Sequence, residues 1–354
     1  MRPQTVHDVD TPAVLIDVDV AARNIARAQA HADAIGIKLR PHIKTHKLPF
    51  FARQQVAAGA VGITCQKVGE AEVMANAGLT DIFIPYNILG RSKLDRLHAL
   101  HMRMSLSVSA DSETTVRGYA AAFTDPDRRL KVLVECDTGG GRVGVQSPED
   151  ALRLAQVIAG APGLRFGGLM TFPAAGGHEV AEAWLRSARD LLLANGLDCE
   201  TVTTGGTPDM WRPVDASVVS EYRPGTYVYM DRYQVEKGAG KLEDCAAFVL
   251  ATVVSRPTAT RAILDAGSKS LTSDLLGLQD HGELIGVPGA RIVGLSEEHG
   301  VVSLPADSQL EVGDKVRVLV NHICPVINLF DEVHLISGEA VVDVLPVAAR
   351  GKLR

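Results

Sequence analysis

A short basic stretch near the N-terminus places a lysine where it could do chemistry. RPHIKTHK covers residues 40–47 and follows an apolar run that predicts a strand, so Lys44 comes at the strand's end. A charged side chain on an inward-facing strand is costly unless it has partners. A lysine can hold an aldehyde as an imine, with Arg40, His42 and His46 as neighbours that could tune it. Lys44 is therefore a candidate covalent anchor, and a solvated basic loop is the alternative.

A second stretch, TTGGTP at 203–208, could bind phosphate. The backbone N–H groups of Gly205, Gly206 and Thr207 could cradle the anion, and PGTYVYMD adds Gly225 and Thr226 as neighbouring donors. A tight turn is the alternative reading. A phosphate site together with a strand-end lysine suggests pyridoxal 5'-phosphate, which acts as an electron sink for a carbanion at Cα.

A third stretch, NHIC at 321–324, could bind a metal. It follows the strand-like KVRVLV, and residues i and i+2 of a strand point to the same face, so His322 and Cys324 would project together. This pair suits Zn²⁺ or another borderline metal and leaves coordination positions open. The alternative is a buried histidine beside a buried thiol. A structural four-ligand site is disfavoured, because no second pair has zinc-finger spacing.

The elements that must position these groups follow two different rhythms. As far as about residue 240, short apolar runs alternate with amphipathic stretches, which predicts an α/β (β/α)₈ TIM-type barrel over 18–240. An open doubly wound sheet is the alternative, weakened because no GxGxxG follows the first strand. Residues 241–354, with an N-terminal strand in 1–17, predict a mostly antiparallel β domain. The barrel strands are expected at 39–44, 61–65, 81–86, 104–109, 131–136, 166–172, 200–206 and 217–225.

In such a barrel, functional side chains gather at the carboxyl ends of the strands. Lys44, Arg142 in GGGR, Thr171 and the TTGGTP loop all fall there, and His178 follows the sixth strand closely. SEEHG at 296–300 offers His299, although an ordinary polar turn explains that stretch equally well. The sequence therefore predicts one polar rim.

Composition limits the classes of function. The chain has 354 residues, 46% of them hydrophobic, and a net charge of −6 without long basic runs, which argues against nucleic-acid or anionic-membrane partners. It contains no run of 18 apolar residues and no apolar stretch typical of a signal peptide. The five cysteines are odd in number and widely spaced, which favours a reducing cytoplasm.

Seven motifs of this chain occur in a fixed order: RPHIKTHK, ECDTGGGRVGV, TGGTP, EYRPGTYVYMD, DAGSKSLTSD, SEEHG and NHICPVINLFDEV. Together they resemble the D-threonine aldolase and D-serine dehydratase family. That family has the alanine-racemase-like (fold type III) pyridoxal phosphate fold. The resemblance covers nearly the whole chain.

The resemblance implies roles for particular residues. Lys44 would be the imine lysine, His322 and Cys324 the ligands of a divalent metal (Mn²⁺ or Zn²⁺), and Arg142 an arginine near the cofactor. The phosphate loop would comprise Gly205, Gly206 and Thr207, with Gly225 and Thr226 nearby. Phe172 stands where relatives often carry a tyrosine; phenylalanine cannot hydrogen-bond the pyridine nitrogen, and Thr171 is a candidate substitute.

The resemblance implies a lyase that acts on small β-hydroxy-D-amino acids. Retro-aldol cleavage to glycine and an aldehyde is favoured, with His178 and His299 as candidate bases. Dehydration by a D-serine or D-threo-3-hydroxyaspartate dehydratase, giving a keto acid and ammonia, is the alternative. A non-catalytic pyridoxal phosphate carrier is the alternative from another class, disfavoured by the second domain. The fold type also implies a homodimer.

Overall fold

Strands and helices alternate as far as Tyr222, and strands dominate afterwards. The computed structural model describes residues 3–354. The strands are β1 (Ala13–Asp17), β2 (Lys38–Leu39), β3 (Ile63–Thr64), β4 (Asp81–Ile84), β5 (Ser105–Ala110), β6 (Leu130–Cys136), β7 (Leu164–Thr171), β8 (Thr201–Thr204), β9 (Glu221–Tyr222), β10 (Ala247–Thr258), β11 (Arg261–Leu264), β12 (Gly282–Leu284), β13 (Arg291–Leu295), β14 (Gly300–Ser303), β15 (Lys315–Val320), β16 (Glu332–Ser337) and β17 (Ala340–Pro346). The α-helices are α1 (Val18–Ala34), α2 (Pro49–Ala57), α3 (Val68–Asn76), α4 (Arg91–His101), α5 (Glu113–Ala122), α6 (Pro148–Ala159), α7 (His178–Ala194), α8 (Arg232–Glu236), α9 (Ser268–Leu271) and α10 (Ile323–Leu329). None of the helices in residues 3–354 is long and apolar enough to cross a membrane.

The chain forms two compact units. The barrel unit comprises Arg27–Lys44, Pro49–Gly225 and Lys352–Arg354. The β unit comprises the chain up to Ala26, Thr45–Leu48 and Thr226–Gly351. The domain bounds 18–240 and 241–354 stay a prediction; Met1 and Arg2, within the expected 1–17 segment, lie outside the described residues.

Eight parallel strands form the barrel unit in the order β2-β9-β8-β7-β6-β5-β4-β3. A parallel bridge between His42 and Thr64 joins the two ends, and the Ile43 amide donates to the Thr64 carbonyl at 2.9 Å. Phe83, Leu133 and Met170 fill part of the core. The predicted (β/α)₈ barrel followed by a β domain is confirmed.

The barrel helices are amphipathic in the way their sequences indicate. Helix α7 buries Ala181, Leu185, Ala188 and Leu192, which recur at helical spacing and form one face. The helix ends at Ala194, and Gly196 takes a φ of 75°, a left-handed conformation that glycine adopts without a Cβ clash. The helix therefore ends on a glycine cap.

The β unit contains a closed six-stranded ring, β10-β11-β14-β13-β12-β15, because β15 and β11 both pair with β10. Its ring pairings are antiparallel. Strand β1 pairs antiparallel with β10 and parallel with β16, and the β16–β17 hairpin completes the sheet. Val6, Val9, Leu15 and Leu250 pack together in its core. The N-terminal strand therefore belongs to the β unit, as the sequence predicted.

Candidate active site

Lys44 lies in a turn just beyond β2, in the barrel unit. Its backbone amide donates to Nδ1 of His42 at 3.3 Å, and Nε2 of His42 lies 2.9 Å from Oε1 of Gln66. This chain of hydrogen bonds orients the turn that carries the lysine. Arg40, by contrast, is engaged in ion pairs with Asp81 at 2.5 Å and Glu221 at 2.7 Å.

Two positively charged side chains lie near the phenyl ring of Phe172. Lys44 Nζ lies 5.6 Å from the ring centroid, and Arg142 Cζ lies 4.9 Å from it, both within cation–π distance. Asp137 folds the GGGR loop that carries Arg142, because its Oδ1 accepts hydrogen bonds from the amides of Gly139 and Gly141. These backbone hydrogen bonds hold the pKa of Asp137 below its usual range. The structure therefore brings Lys44 and Arg142 to one ring.

The TTGGTP loop approaches the same ring. A Cβ built on Gly206 would lie 3.3 Å from Cε2 of Phe172, and the Tyr222 hydroxyl donates to the Gly206 carbonyl at 3.0 Å. Gly205 has a φ of 124°, and a Cβ there would lie 2.8 Å from the Tyr222 ring and 2.9 Å from the Arg223 amide. Gly205 is therefore needed for the path of this loop, whereas a side chain at Gly206 would have to displace the Phe172 ring slightly.

We expect Gly205→Ala to lower the free energy of unfolding by about 1–3 kcal/mol, because a strained backbone and a close contact would coincide. Affinity for pyridoxal phosphate should fall as well. Thermal unfolding and cofactor titration measure the two effects. Gly196→Ala is the matched control, since its φ is 75° but nothing lies within 4 Å of the added Cβ. Equal effects of both substitutions on cofactor affinity would contradict the prediction.

A fully buried arginine lies beyond the loop. Arg223 donates from Nε to Thr203 Oγ1 at 2.8 Å and from Nη2 to the Thr171 carbonyl at 2.5 Å. Burial lowers the pKa of Arg223 to about 10, although Glu221 and Glu135 oppose the shift. The Thr171 hydroxyl donates to the Cys136 carbonyl at 2.8 Å and lies 2.9 Å from Thr138 Oγ1. Its role toward the pyridine nitrogen stays a prediction.

These groups fit an anionic aldehyde cofactor. One lysine, one arginine and a glycine backbone converge on the Phe172 ring, and side chains at Gly205 or Gly206 would meet Tyr222 or Phe172. Lys44 would hold the aldehyde carbon, and the Gly205–Thr207 backbone would hold the phosphate. Gly225 follows β9 in the barrel unit, and its predicted role remains open.

The predicted metal ligands lie in the β unit, at the junction of a strand and a helix. Strand β15 ends at Val320, His322 is the N-cap of α10 with φ −140° and ψ 100°, and Cys324 lies in the first turn of that helix. The expectation that both residues share one face of a strand was therefore wrong, because the helix begins between them. Their side chains nevertheless lie close enough for each to shift the pKa of the other.

The electrostatics of this pair suit a divalent cation. Burial alone would lower the pKa of His322, but the hydrogen bond and charge of Cys324, together with Asp274, raise it to about 9. Burial would raise the pKa of the Cys324 thiol, but His322 lowers it below its usual value. The thiolate form of Cys324 and the imidazolium form of His322 therefore stabilise each other. A cation that replaces the imidazolium proton would meet two suitable donors.

Other residues of the β unit hold the pair in place. Asp274 Oδ2 lies 2.8 Å from His322 Nδ1, which leaves Nε2 for a metal. The buried Asp231 carboxylate accepts hydrogen bonds from the amides of Ile323 and Gln234, and burial raises the pKa of Asp231 to about 6. Within residues 3–354 no group of three His, Cys, Asp or Glu side chains is arranged to hold a metal.

The two candidate bases lie in different units. His178 begins α7 in the barrel unit, and its buried Nδ1 has no hydrogen-bond partner among the described residues. His299 lies in the exposed turn between β13 and β14 of the β unit, 3.5 Å from Ser296 Oγ. Nothing in these contacts joins His299 to the metal pair.

Some residues around the site were not singled out from the sequence. Thr45 Oγ1 and Thr226 Oγ1 lie 3.2 Å and 3.6 Å from Cys324 Sγ. The hydroxyl of Thr226, expected near the phosphate, thus also faces the sulfur. The position of Arg223 at the end of the last barrel strand was a usable signal. Asp274 ends the DAGSKSLTSD motif, but its partner was not predictable, because a carboxylate 48 residues before its histidine cannot be paired by spacing.

Comparison with known proteins identifies the same architecture. Residues 16–233 match the alanine racemase N-terminal domain, and residues 246–336 match a putative serine dehydratase domain. The chain is 35% identical to a D-threonine aldolase from Arthrobacter sp., over 97% of this chain and 93% of the relative. The structure of a D-threonine aldolase from Filomicrobium marinum superimposes with a TM-score of 0.91 at 34% identity, covering 100% of both chains.

The D-threo-3-hydroxyaspartate dehydratase of Delftia sp. is 33% identical over 90% of this chain and 92% of the relative. The structure of a cysteine-to-alanine mutant of a D-threo-3-hydroxyaspartate dehydratase, solved in the metal-free form, has a TM-score of 0.89 over 97% of this chain and 99% of that one, at 30% identity.

The fold and the cofactor groups thus define a pyridoxal phosphate-dependent enzyme of the alanine-racemase-like type. Relatives that match over nearly the whole chain are lyases, some of them aldolases and others dehydratases. The chain belongs to the D-threonine aldolase and D-serine dehydratase family.

Proposed function

We propose that this protein is a pyridoxal phosphate- and divalent-metal-dependent lyase that cleaves β-hydroxy-D-amino acids to glycine and an aldehyde. The observation that carries the cofactor assignment is the convergence of Lys44, Arg142 and the Gly206 backbone on Phe172. The thiolate–imidazole pair carries the metal assignment. The aldolase choice draws support from the similarity to D-threonine aldolases over nearly the whole chain.

The residues divide the work. Pyridoxal phosphate, held by Lys44 and the Gly205–Thr207 loop, supplies an electron sink for the electrons left on Cα when a bond to it breaks. A cation on His322 and Cys324 supplies a Lewis acid for the β-hydroxyl oxygen. We assign Zn²⁺, because imidazole and thiolate ligands suit it, and Mn²⁺ is the alternative that the family resemblance implies. Arg142, next to Lys44 on the Phe172 ring, contributes positive charge for the anionic groups.

Retro-aldol cleavage also needs a base for the β-hydroxyl proton. We assign this role to His178 rather than His299, because Nδ1 of His178 is buried without a partner among residues 3–354 and its unit contains Lys44. Its Nε2 lies 4.0 Å from Glu179 Oε1, a carboxylate that can stabilise the imidazolium formed on proton uptake.

His178→Gln should lower kcat for cleavage by roughly 10²–10⁴-fold, the contribution expected of a positioned general base. The cofactor spectrum and metal content should stay as in the parent protein. Steady-state assays of cleavage measure the loss. His98→Gln, at an exposed position of the barrel unit, is the matched control. A parent-like kcat in the His178 variant would reject this assignment.

Product analysis tests the function itself. The protein, supplied with pyridoxal phosphate and Mn²⁺ or Zn²⁺, would be incubated with D-threonine, D-serine and D-threo-3-hydroxyaspartate. Glycine and an aldehyde are expected. Keto acid and ammonia without glycine would instead establish the dehydratase alternative, which the similarity to the Delftia sp. enzyme supports.

Bound cofactor without any product would favour a carrier protein. The β unit with its His322–Cys324 pair speaks against that reading, since a carrier needs no second unit. Assembly as a homodimer, a cytoplasmic location and the absence of nucleic-acid or membrane partners remain expectations, and sedimentation would test the first of them.

A further inference from the structure

Two hydroxyl groups converge on the sulfur of Cys324 within the β unit. Thr45 Oγ1 lies 3.2 Å from Sγ, and Thr226 Oγ1 lies 3.6 Å from it. Thr45 is completely buried. The shorter contact, made by the completely buried threonine, is therefore the one expected to have the larger effect.

The direction of this hydrogen bond is fixed once a metal binds. A thiol and a hydroxyl can each donate, but a metal-bound cysteine is a thiolate and only accepts. The Thr45 hydroxyl must then donate. Such a hydrogen bond orients the sulfur and spreads its charge, and partners of this kind typically change metal affinity about 10–100-fold.

Thr45 is also the residue that follows Lys44 in the chain. A peptide bond therefore joins the proposed cofactor lysine to the side chain that contacts the proposed metal ligand. The amide of Lys44 is itself held by His42, and the next side chain is held by Cys324. The chain at Lys44 and Thr45 is thus held by one hydrogen bond at the Lys44 amide and another at the Thr45 hydroxyl.

We propose that Thr45 is a positioning residue that fixes Cys324 Sγ for metal binding and couples metal loading to the cofactor on Lys44. The inference rests on the proposed function, since it takes Lys44 and the metal pair as assigned above. Coupling between two ligands is reciprocal, so a metal that orders Thr45 changes the environment of the cofactor, and the bound cofactor changes metal affinity by the same factor.

The test uses the full-length protein loaded with pyridoxal phosphate and stripped of metal by a chelator. Zn²⁺ is titrated in competition with a chromophoric chelator, and the cofactor absorbance is followed in the same titration. Thr45→Val removes the hydroxyl at nearly constant volume, Thr45→Ser retains it, and Thr258→Val makes the same change at an exposed position of β10. Cofactor content and circular dichroism confirm that each variant is folded.

Thr45→Val should weaken Zn²⁺ binding about 10–100-fold, whereas Thr45→Ser and Thr258→Val should stay close to the parent protein. Zn²⁺ should shift the cofactor absorbance in the parent and serine proteins but not in the valine variant. Parent-like Zn²⁺ affinity in Thr45→Val overturns the proposal, and so does weakened binding with an unchanged absorbance shift. If the parent protein itself binds no Zn²⁺ tightly, the metal assignment of the proposed function fails first.

Discussion

Lys44→Ala is expected to abolish both the visible absorbance of the cofactor imine and all lyase activity. The ε-amino group lies with Arg142 on the Phe172 ring, and within residues 3–354 no other lysine side chain is placed on that ring. Without this amine the aldehyde loses its covalent anchor. Absorption spectra after incubation with pyridoxal phosphate, together with assays on D-threonine, measure the effect.

The second lysine of the motif provides the control for this experiment. Lys47 is buried, has a φ of 56° and donates from Nζ to the Ala349 carbonyl at 3.3 Å. Lys47→Ala should therefore lower the thermal stability but leave the imine absorbance in place. Retention of that absorbance in Lys44→Ala would show that another lysine binds the cofactor.

Removal of the metal is expected to have the second largest effect. Chelation, His322→Ala and Cys324→Ala should each lower activity about 10³-fold, because a Lewis acid contributes several kcal/mol to stabilising developing charge. Adding Mn²⁺ or Zn²⁺ should restore the chelated protein but neither variant. Metal analysis and assays on the same samples measure both quantities.

Cys245→Ala is the matched control for the cysteine variant. Cys245 is a free, buried thiol of the same unit, and its Sγ faces the carbonyl of Lys241. Its replacement should leave metal content unchanged. If Cys324→Ala retains stoichiometric metal and full activity, the metal lies elsewhere and the assignment of this pair is wrong.

The barrel could be predicted from the sequence because local patterns determine it. Apolar runs such as β6, and helices such as α7 with apolar residues at helical spacing, carry their signal within a few residues. The placement of Lys44 and the TTGGTP loop at strand ends follows from the same alternation. The roles of these residues were implied by the family resemblance and still await the experiments above.

The local geometry of the metal pair was not predictable in this way. KVRVLVNHICPVI is apolar enough to read as one strand, but the buried Asp231 carboxylate accepts a hydrogen bond from the Ile323 amide and caps α10. A side chain distant in sequence therefore helps a helix to begin where the sequence pattern alone predicts a continued strand. The contacts of Thr45 and Asp274 with the pair depend on the same long-range packing.

The position of β1 has a consequence for how the chain is made. Leu15 pairs with Phe248 on one side and with His334 on the other, so β1 is synthesised more than 200 residues before either of its neighbours. Such long-range pairing is slow to form, and an unpaired strand is a template for aggregation. The barrel strands, by contrast, follow one another closely in sequence and can assemble as they emerge. The sheet that contains β1 can therefore be completed only after β10 and β16 have both been synthesised.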